Sequence, residues 1–253
     1  MKKSSILTIL YPIVTLIFVC VIWTVVSLLT DNPLLVPSVS EVLSCIPKIL
    51  SSAGFYASVG ATLLRVLVSV VVSLIVSLLL GYVSICFRIC RKILSPIVSV
   101  LRALPTLAIT LVLLSWLTPS IAPIVVATLV LVPAFYQNII TPVDVIDSQY
   151  SQLLRCYPIS PRGILKVYAS EITPYFLLNL GANVSFSIKV VISAEVLSST
   201  YVSIGGMMSE QKLYLDIASL VMMSLISVVV AILIEWLLSF VYKAYMRLMR
   251  RCV

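Results

Sequence analysis

Histidine is missing from all 253 residues, and acidic side chains number only 9, so the chain is short of the groups that most often bind metals or move protons near neutral pH. No acidic or cysteine cluster at ligand spacing compensates. Charge of either sign is scarce, at 10% of residues against about 25% in soluble domains, while 61% of residues are hydrophobic. A water-facing surface cannot be built from that composition, as the mean hydropathy of +1.20 also indicates. The phosphate-cradling pattern G-x-x-x-x-G-K-[ST] is absent as well, so any work done must draw on another chain or an ion gradient. These absences argue against a soluble enzyme and for an all-α, polytopic membrane protein that makes and breaks no covalent bonds itself.

A hydrocarbon core about 30 Å thick needs roughly 20 helical residues. Uncharged stretches at 4–30 and 66–87 supply two such spans. The 41 residues from Ala103 to Val143 carry no charge, too many for one crossing and enough for two, with Thr118-Pro119-Ser120 as the turn. The arms, 93–116 and 122–140, are expected as spans three and four. Residues 172–188, continuing to about 197, form the fifth, and 217–234 the centre of the sixth. The chain then divides into a first transmembrane helix (1–30), an outer amphipathic connection (31–58), a five-helix core (59–242) with a cytoplasmic loop at 141–173, and a basic tail (243–253).

Six crossings put both termini on one side. With that side cytoplasmic, Lys2, Lys3, Arg88, Arg91, Lys92, Arg155, Arg162, Lys166, Lys243, Arg247, Arg250 and Arg251 are inside, 12 of the 17 cations. The net charge of +8 therefore marks topology and contact with anionic lipid, and no nucleic acid is needed to explain it. Lys2-Lys3 before an apolar run resembles a secretory signal, but the run is longer than a signal's and no A-x-A site closes it, so an uncleaved helix is expected. Of the six cysteines only Cys45 is expected outside, which leaves no disulfide framework.

Ser38-x-x-Glu41 has the spacing of a capping box and predicts a short helix along the outer surface. Between Asp144 and Pro174, Asp147 and Ser148 can cap a helix over 149–157 whose apolar face holds Leu153, Leu154 and Tyr157. Pro158 and Pro161 are expected to end it, Gly163 to permit a sharp turn, and 164–172 to form a second short helix. Such a knob on the cytoplasmic face wants a socket.

An ion in a bilayer costs at least about 2.5–3.5 kcal/mol, so Arg102, Lys189, Glu195 and Glu235 should face protein, water or an interface. Lys189 can attract an anion, with Asn179, Asn183 and Ser187 forming one helical stripe and Ser185 near it, although a polar stripe can equally glue helices or two copies together. Arg102 with Pro105 is expected at a bend, and Arg65 and Glu235 as interface or snorkelling charges. Gly205-Gly206, in the outer loop beside Tyr201 and Met207-Met208, suits a re-entrant or docking segment or a plain flexible connection.

In order along the chain stand Val36-Pro37-Ser38 with Glu41-Val42-Leu43, Thr62-Leu63-Leu64-Arg65-Val66-Leu67, Leu101-Arg102-Ala103-Leu104-Pro105, Glu171-Ile172-Thr173-Pro174 and Ala194-Glu195. In these pieces, spread around six spans over residues 36–242, the chain resembles the permease subunit of an ABC importer of the nitrate/sulfonate/taurine branch, which also includes permeases for thiamine-pyrimidine precursors. The family's loop motif, E-A-A then Gly then Leu-Pro, falls on Ser151, Gln152, Leu153, Tyr157 and Ala169-Ser170, so each letter departs while the loop's length and amphipathicity persist. The resemblance implies a homodimeric pore in a bacterial inner membrane, two cytoplasmic ATPases and an outer substrate-binding protein. It implies no cofactor on this chain and ATP on the partner subunit. The ATPase-coupling residues would be Ser151, Gln152, Leu153, Leu154, Arg155, Cys156, Tyr157 and Pro158. The substrate pathway would take Asn179, Asn183, Ser187, Lys189, Glu195 and Arg102.

The solute would be small and anionic or heteroaromatic: a sulfonate, nitrate, taurine or a thiamine-pyrimidine precursor. The alternative is a secondary transporter driven by an ion gradient, whose inverted repeats and matching Gly/Pro-broken helices are not seen. An intramembrane enzyme would need a nucleophile with its base, or paired acids, at one depth, and no such constellation is visible.

Overall fold

A computed structural model describes residues 2–156 and 161–249, and these form nine helices and no strand. They are α1 (Lys2–Thr30), α2 (Val39–Leu50), α3 (Ala53–Cys86), α4 (Arg88–Ala103), α5 (Thr106–Leu114), α6 (Ala122–Cys156), α7 (Pro161–Ser198), α8 (Ile204–Leu213) and α9 (Ile217–Met249). Segments within α3, α6, α7 and α9 are each long and apolar enough to cross a membrane. With so few charges to turn outward, these helices bury the faces that pack on each other and leave apolar side chains such as Leu67, Ile75, Leu79, Ile232 and Leu233 exposed. Lipid is the medium such a surface requires.

The bundle is built outward from α6 and α7. Val126, Leu131 and Phe135 of α6 meet Ile188 and Val191 of α7, and Met222 and Met223 of α9 close the same core. Phe135 and Phe176 stack with ring centroids 5.6 Å apart. The seam between α3 and α6 has a different chemistry. Ser69, Ser73, Ser77, Gly81 and Ser84 all face inward from α3, a nearly strict four-residue repeat of small side chains that lets two backbones come close. Ser73 and Ser77 donate hydroxyl hydrogen bonds to the carbonyls of Thr128 and Val132, at 3.4 and 3.0 Å, beside the helix-interrupting Pro133. Ser84 and Tyr136 join hydroxyls at 2.9 Å. In lipid, where apolar faces gain nothing by leaving solvent, such close packing and hydrogen bonding are what hold helices together.

The expected capping box forms. Ser38 Oγ accepts from the Glu41 N–H at 3.2 Å and the Ser38 N–H donates to Glu41 Oε2 at 2.8 Å, starting α2. Helix α1 meets the rest of the described chain only through α2 and the linker, where Trp23 Nε1 donates to the Pro37 carbonyl at 3.0 Å and Ser27 Oγ to the Val36 carbonyl at 3.2 Å.

Three expectations change. The span drawn at 93–116 is broken: α4 and α5 meet at 89° across Leu104-Pro105, because proline bars the preceding residue from helical geometry and offers no N–H of its own. Arg91 of α4 pairs with Asp144 far along α6, while the 115–121 turn after α5 leads into the start of α6. Counted as one broken span, the bent pair brings the helices able to cross a membrane from four to five. Neither interval expected as a separate short helix is separate, since α6 continues through Pro142 to Cys156 and α7 runs from Pro161 through Pro174 to Ser198. Pro161 opens a helix instead of closing one, its missing N–H costing nothing at a first turn, and Gly163 lies within that helix instead of at a turn.

The α3–α6 seam is open to test at its glycine. A Cβ on Gly81 would lie 2.8 Å from Ile139 Cγ2, whereas one on Gly60 meets nothing within 4 Å. Gly81→Leu is expected to lower stability by about 1–3 kcal/mol through overpacking, and Gly60→Leu to change it by under about 0.5 kcal/mol, read as thermal unfolding of the purified protein in detergent.

Candidate functional site

The best-ordered polar centre lies where α3, α7 and α8 meet. Glu195, on the last turns of α7, is fully buried. Arg65 Nη1 reaches Glu195 Oε1 at 2.8 Å and also donates to the Val202 carbonyl at 3.1 Å. Thr62 Oγ1, one turn before Arg65 on α3, donates to the same carboxylate at 2.9 Å from Oε2, and the Gly205 N–H donates to Oε2 at 3.2 Å. Thr62 Oγ1 in turn accepts the Ile204 N–H at 3.0 Å, so this hydroxyl ties the start of α8 to the carboxylate. A buried carboxylate with a cation and two further donors is satisfied in the way a low-dielectric setting demands.

This centre determines the geometry of the segment after α7. Ser199 takes a left-handed φ of 48° to end the helix. Thr200 Oγ1 donates to the Pro119 carbonyl at 2.8 Å, and Ser203 caps α8 by accepting the Gly206 N–H at 2.8 Å. Gly205 sits so close to α7 that a Cβ there would lie 2.6 Å from the Val196 nitrogen and 2.7 Å from the Ile192 carbonyl oxygen. The Gly205-Gly206 pair therefore serves close packing, and the connection is pinned in place.

The sequence-derived residues are dispersed. Asn179 is half-buried and its Nδ2 donates back to the Tyr175 carbonyl at 2.8 Å. Asn183 is half-buried too, and its Nδ2 is enclosed without a hydrogen-bond partner among the described residues. Ser185 and Ser187 are buried, Ser187 Oγ donating to the Val184 carbonyl at 2.7 Å. Lys189 and Arg102 are exposed. Lys189 points to a different side of α7 from the Asn179–Ser187 stripe, as its register requires. Arg65, expected as an interface or snorkelling charge, is the partner of Glu195 within the chain. In the coupling set, the backbone of Ser151, Gln152, Leu153, Leu154, Arg155 and Cys156 belongs to the end of α6, and Tyr157 and Pro158 lie outside the described residues. Among the described residues no three His, Cys, Asp or Glu side chains converge as metal ligands.

A second ionic contact lies at the same end as α8. Lys48 of α2 approaches Asp216, ahead of α9, at 3.7 Å. Partial burial alone would raise the Asp216 pKa, but the Ser219 hydroxyl and N–H and the Lys48 charge outweigh it and hold the carboxyl below its ordinary value.

A bundle of apolar helices long enough to cross a membrane, one of them a bent pair, around an internally satisfied ionic centre defines a polytopic membrane protein. The chain belongs to the family of binding-protein-dependent transport system inner membrane components, whose model matches residues 73–251, well over half its length. That family comprises permeases of ABC transporters, which work with an ATPase and a substrate-binding protein. A comparison with curated proteins finds no match.

Breaking the ionic centre should be costly. Glu195→Leu or Arg65→Met alone is expected to destabilise the protein by about 3–5 kcal/mol, because each leaves the other group unpaired in a buried setting. The double substitution should cost clearly less than the two singles combined, read by thermal unfolding in a double-mutant cycle. At Asp216 the folded pKa is depressed, so its stabilisation is complete above the unfolded value of about 3.9 and is lost as pH falls through the folded one. Asp216→Asn should therefore show a shallower loss of melting temperature below about pH 4 than the unmodified protein.

Proposed function

We propose that this chain is the pore-forming permease of an ATP-driven importer for a small anionic or heteroaromatic solute, of the nitrate/sulfonate/taurine branch. The family match over residues 73–251 carries this reading, and the pieces of sequence around Thr62–Leu67, Leu101–Pro105 and Ala194-Glu195 favour the branch. Two copies form the path in a bacterial inner membrane, with six crossings per copy and both termini cytoplasmic. The distribution of cations supports that orientation, with α1 as the sixth crossing.

The ends of α6 and α7 would then extend into the cytosol, and residues 151–158 would seat in a groove of a separate ATPase. Closure of the ATPase pair on ATP would pull on these ends, and the continuity of α6 into the bundle gives the motion a rigid lever. Asn179, Asn183, Ser187, Lys189 and Arg102 would meet the solute or the second copy. Glu195 contributes by holding the outer segment in place. A secondary transporter is the competing class, and it predicts transport without any ATPase.

Affinity purification of the tagged chain from its native membrane separates the two. A cytosolic ATPase is expected to co-purify, and deletion of residues 151–158 is expected to abolish both its recovery and solute uptake. Recovery of no ATPase, with uptake intact after the deletion, would overturn the proposal.

A further inference from the structure

Helix α4 has two opposite flanks. At about 100° per residue, Arg88, Arg91, Lys92, Ser95, Ser99 and Arg102 fall within one arc about 100° wide. Ile89, Ile93, Ile97 and Val100 occupy a separate arc on the other side and are at least half exposed. Val98 lies toward the bundle, buried against Tyr136 and Ile140 of α6. The apolar flank suits hydrocarbon, whereas the polar flank carries cations from the end of the helix up to Arg102 at the break before Pro105. An exposed arginine that far along a crossing segment requires water or protein beside it.

Between this polar flank and α6 lies a cavity of about 400 Å³. Arg91, Lys92 and Ser95 line it from α4, and Tyr136, Gln137 and Asp144 from α6. Asp144 pairs with Arg91 and so fixes that guanidinium at the wall. Lys92 is exposed and has no carboxylate within ion-pair distance among the described residues. The Gln137 amide makes only one long bond, to Thr141 Oγ1 at 3.4 Å, and retains donor capacity. The Tyr136 hydroxyl is committed to Ser84, which holds its ring as a rigid side.

We infer that this α4–α6 cavity binds a single oxyanion of the sulfonate or phosphate kind, held by the Lys92 ammonium, the Ser95 hydroxyl and the Gln137 amide. One cation with no carboxylate partner among the described residues, beside neutral donors, suits a small oxyanion and gives modest affinity, as a station on a path must. An anionic lipid headgroup offers the same chemistry. The cavity opens on the flank of α4 turned away from its exposed isoleucines, which favours a soluble anion over an acylated one. The inference rests on the permease reading for its place on the solute path, but its measurement needs no ATPase, so the two can fail separately.

Equilibrium binding of radiolabelled sulfate to the purified full-length protein, as isolated with any co-purifying subunits, tests it. Saturable binding in the millimolar range is expected. It should weaken about tenfold in Lys92→Gln, the scale of one charge-assisted contact, fall in Gln137→Leu, and persist in Lys92→Arg and in the remote control Lys243→Gln. Absence of saturable binding, or binding equal in Lys92→Gln and the unmodified protein, would overturn the inference. Retention of phosphatidylglycerol through delipidation that depends on Lys92 and is not competed by sulfate would also overturn it, and would assign the cavity to lipid.

Discussion

The carboxylate of Glu195 is the constraint around which one end of the molecule is organised. Removed from water, it needs a cation and donors, and it draws them from two neighbouring helices: Arg65 and Thr62 from α3 and the Gly205 N–H from α8. Because Thr62 and Arg65 lie one turn apart, a single carboxylate can hold both and so fix the rotation of α3 against α7. Gly205 must then be a glycine, since any side chain there would meet the backbone of α7. The close approach that excludes a Cβ is the same approach that brings the Gly205 N–H to the carboxylate.

Elsewhere the bundle depends on smallness. The serine and glycine repeat on α3 and Gly181 of α7, whose absent Cβ leaves room for the Glu235 carbonyl, let backbones meet where bulkier residues would hold them apart. Helix α6 continues through Pro133 and Pro142 to Cys156 as one helix. At the break between α4 and α5, Pro105 has no N–H to lose from a helical ladder, so the bend costs little backbone pairing there.

Much of the helical architecture was legible in the sequence because hydropathy acts over tens of residues and lipid thickness sets one length. The spans within α3, α6, α7 and α9, the 115–121 turn and the capping box of α2 were all readable in that way. Proline was read less well. Pro105 was expected to bend a span and breaks it at 89°, whereas Pro161 and Pro174 were expected at boundaries and instead lie at the start of or within a long helix. The difference lies in whether neighbouring side chains and first-turn positions absorb the missing N–H, which local sequence does not record. The four-residue rhythm Ser69, Ser73, Ser77, Gly81 was a signal that could have located the α3–α6 seam.

The candidate site divides the same way. Composition and charge scarcity alone determined that this is a membrane-embedded helical protein, since those properties depend only on which residues are present. That Arg65 and Glu195, 130 positions apart, are one ionic centre was decided by tertiary structure. So was the pairing of the polar flank of α4 with Gln137 and Asp144 of α6. Helical register says which side chains share a face, but only packing decides what that face meets, and for a buried ion the free energy lies in the partner.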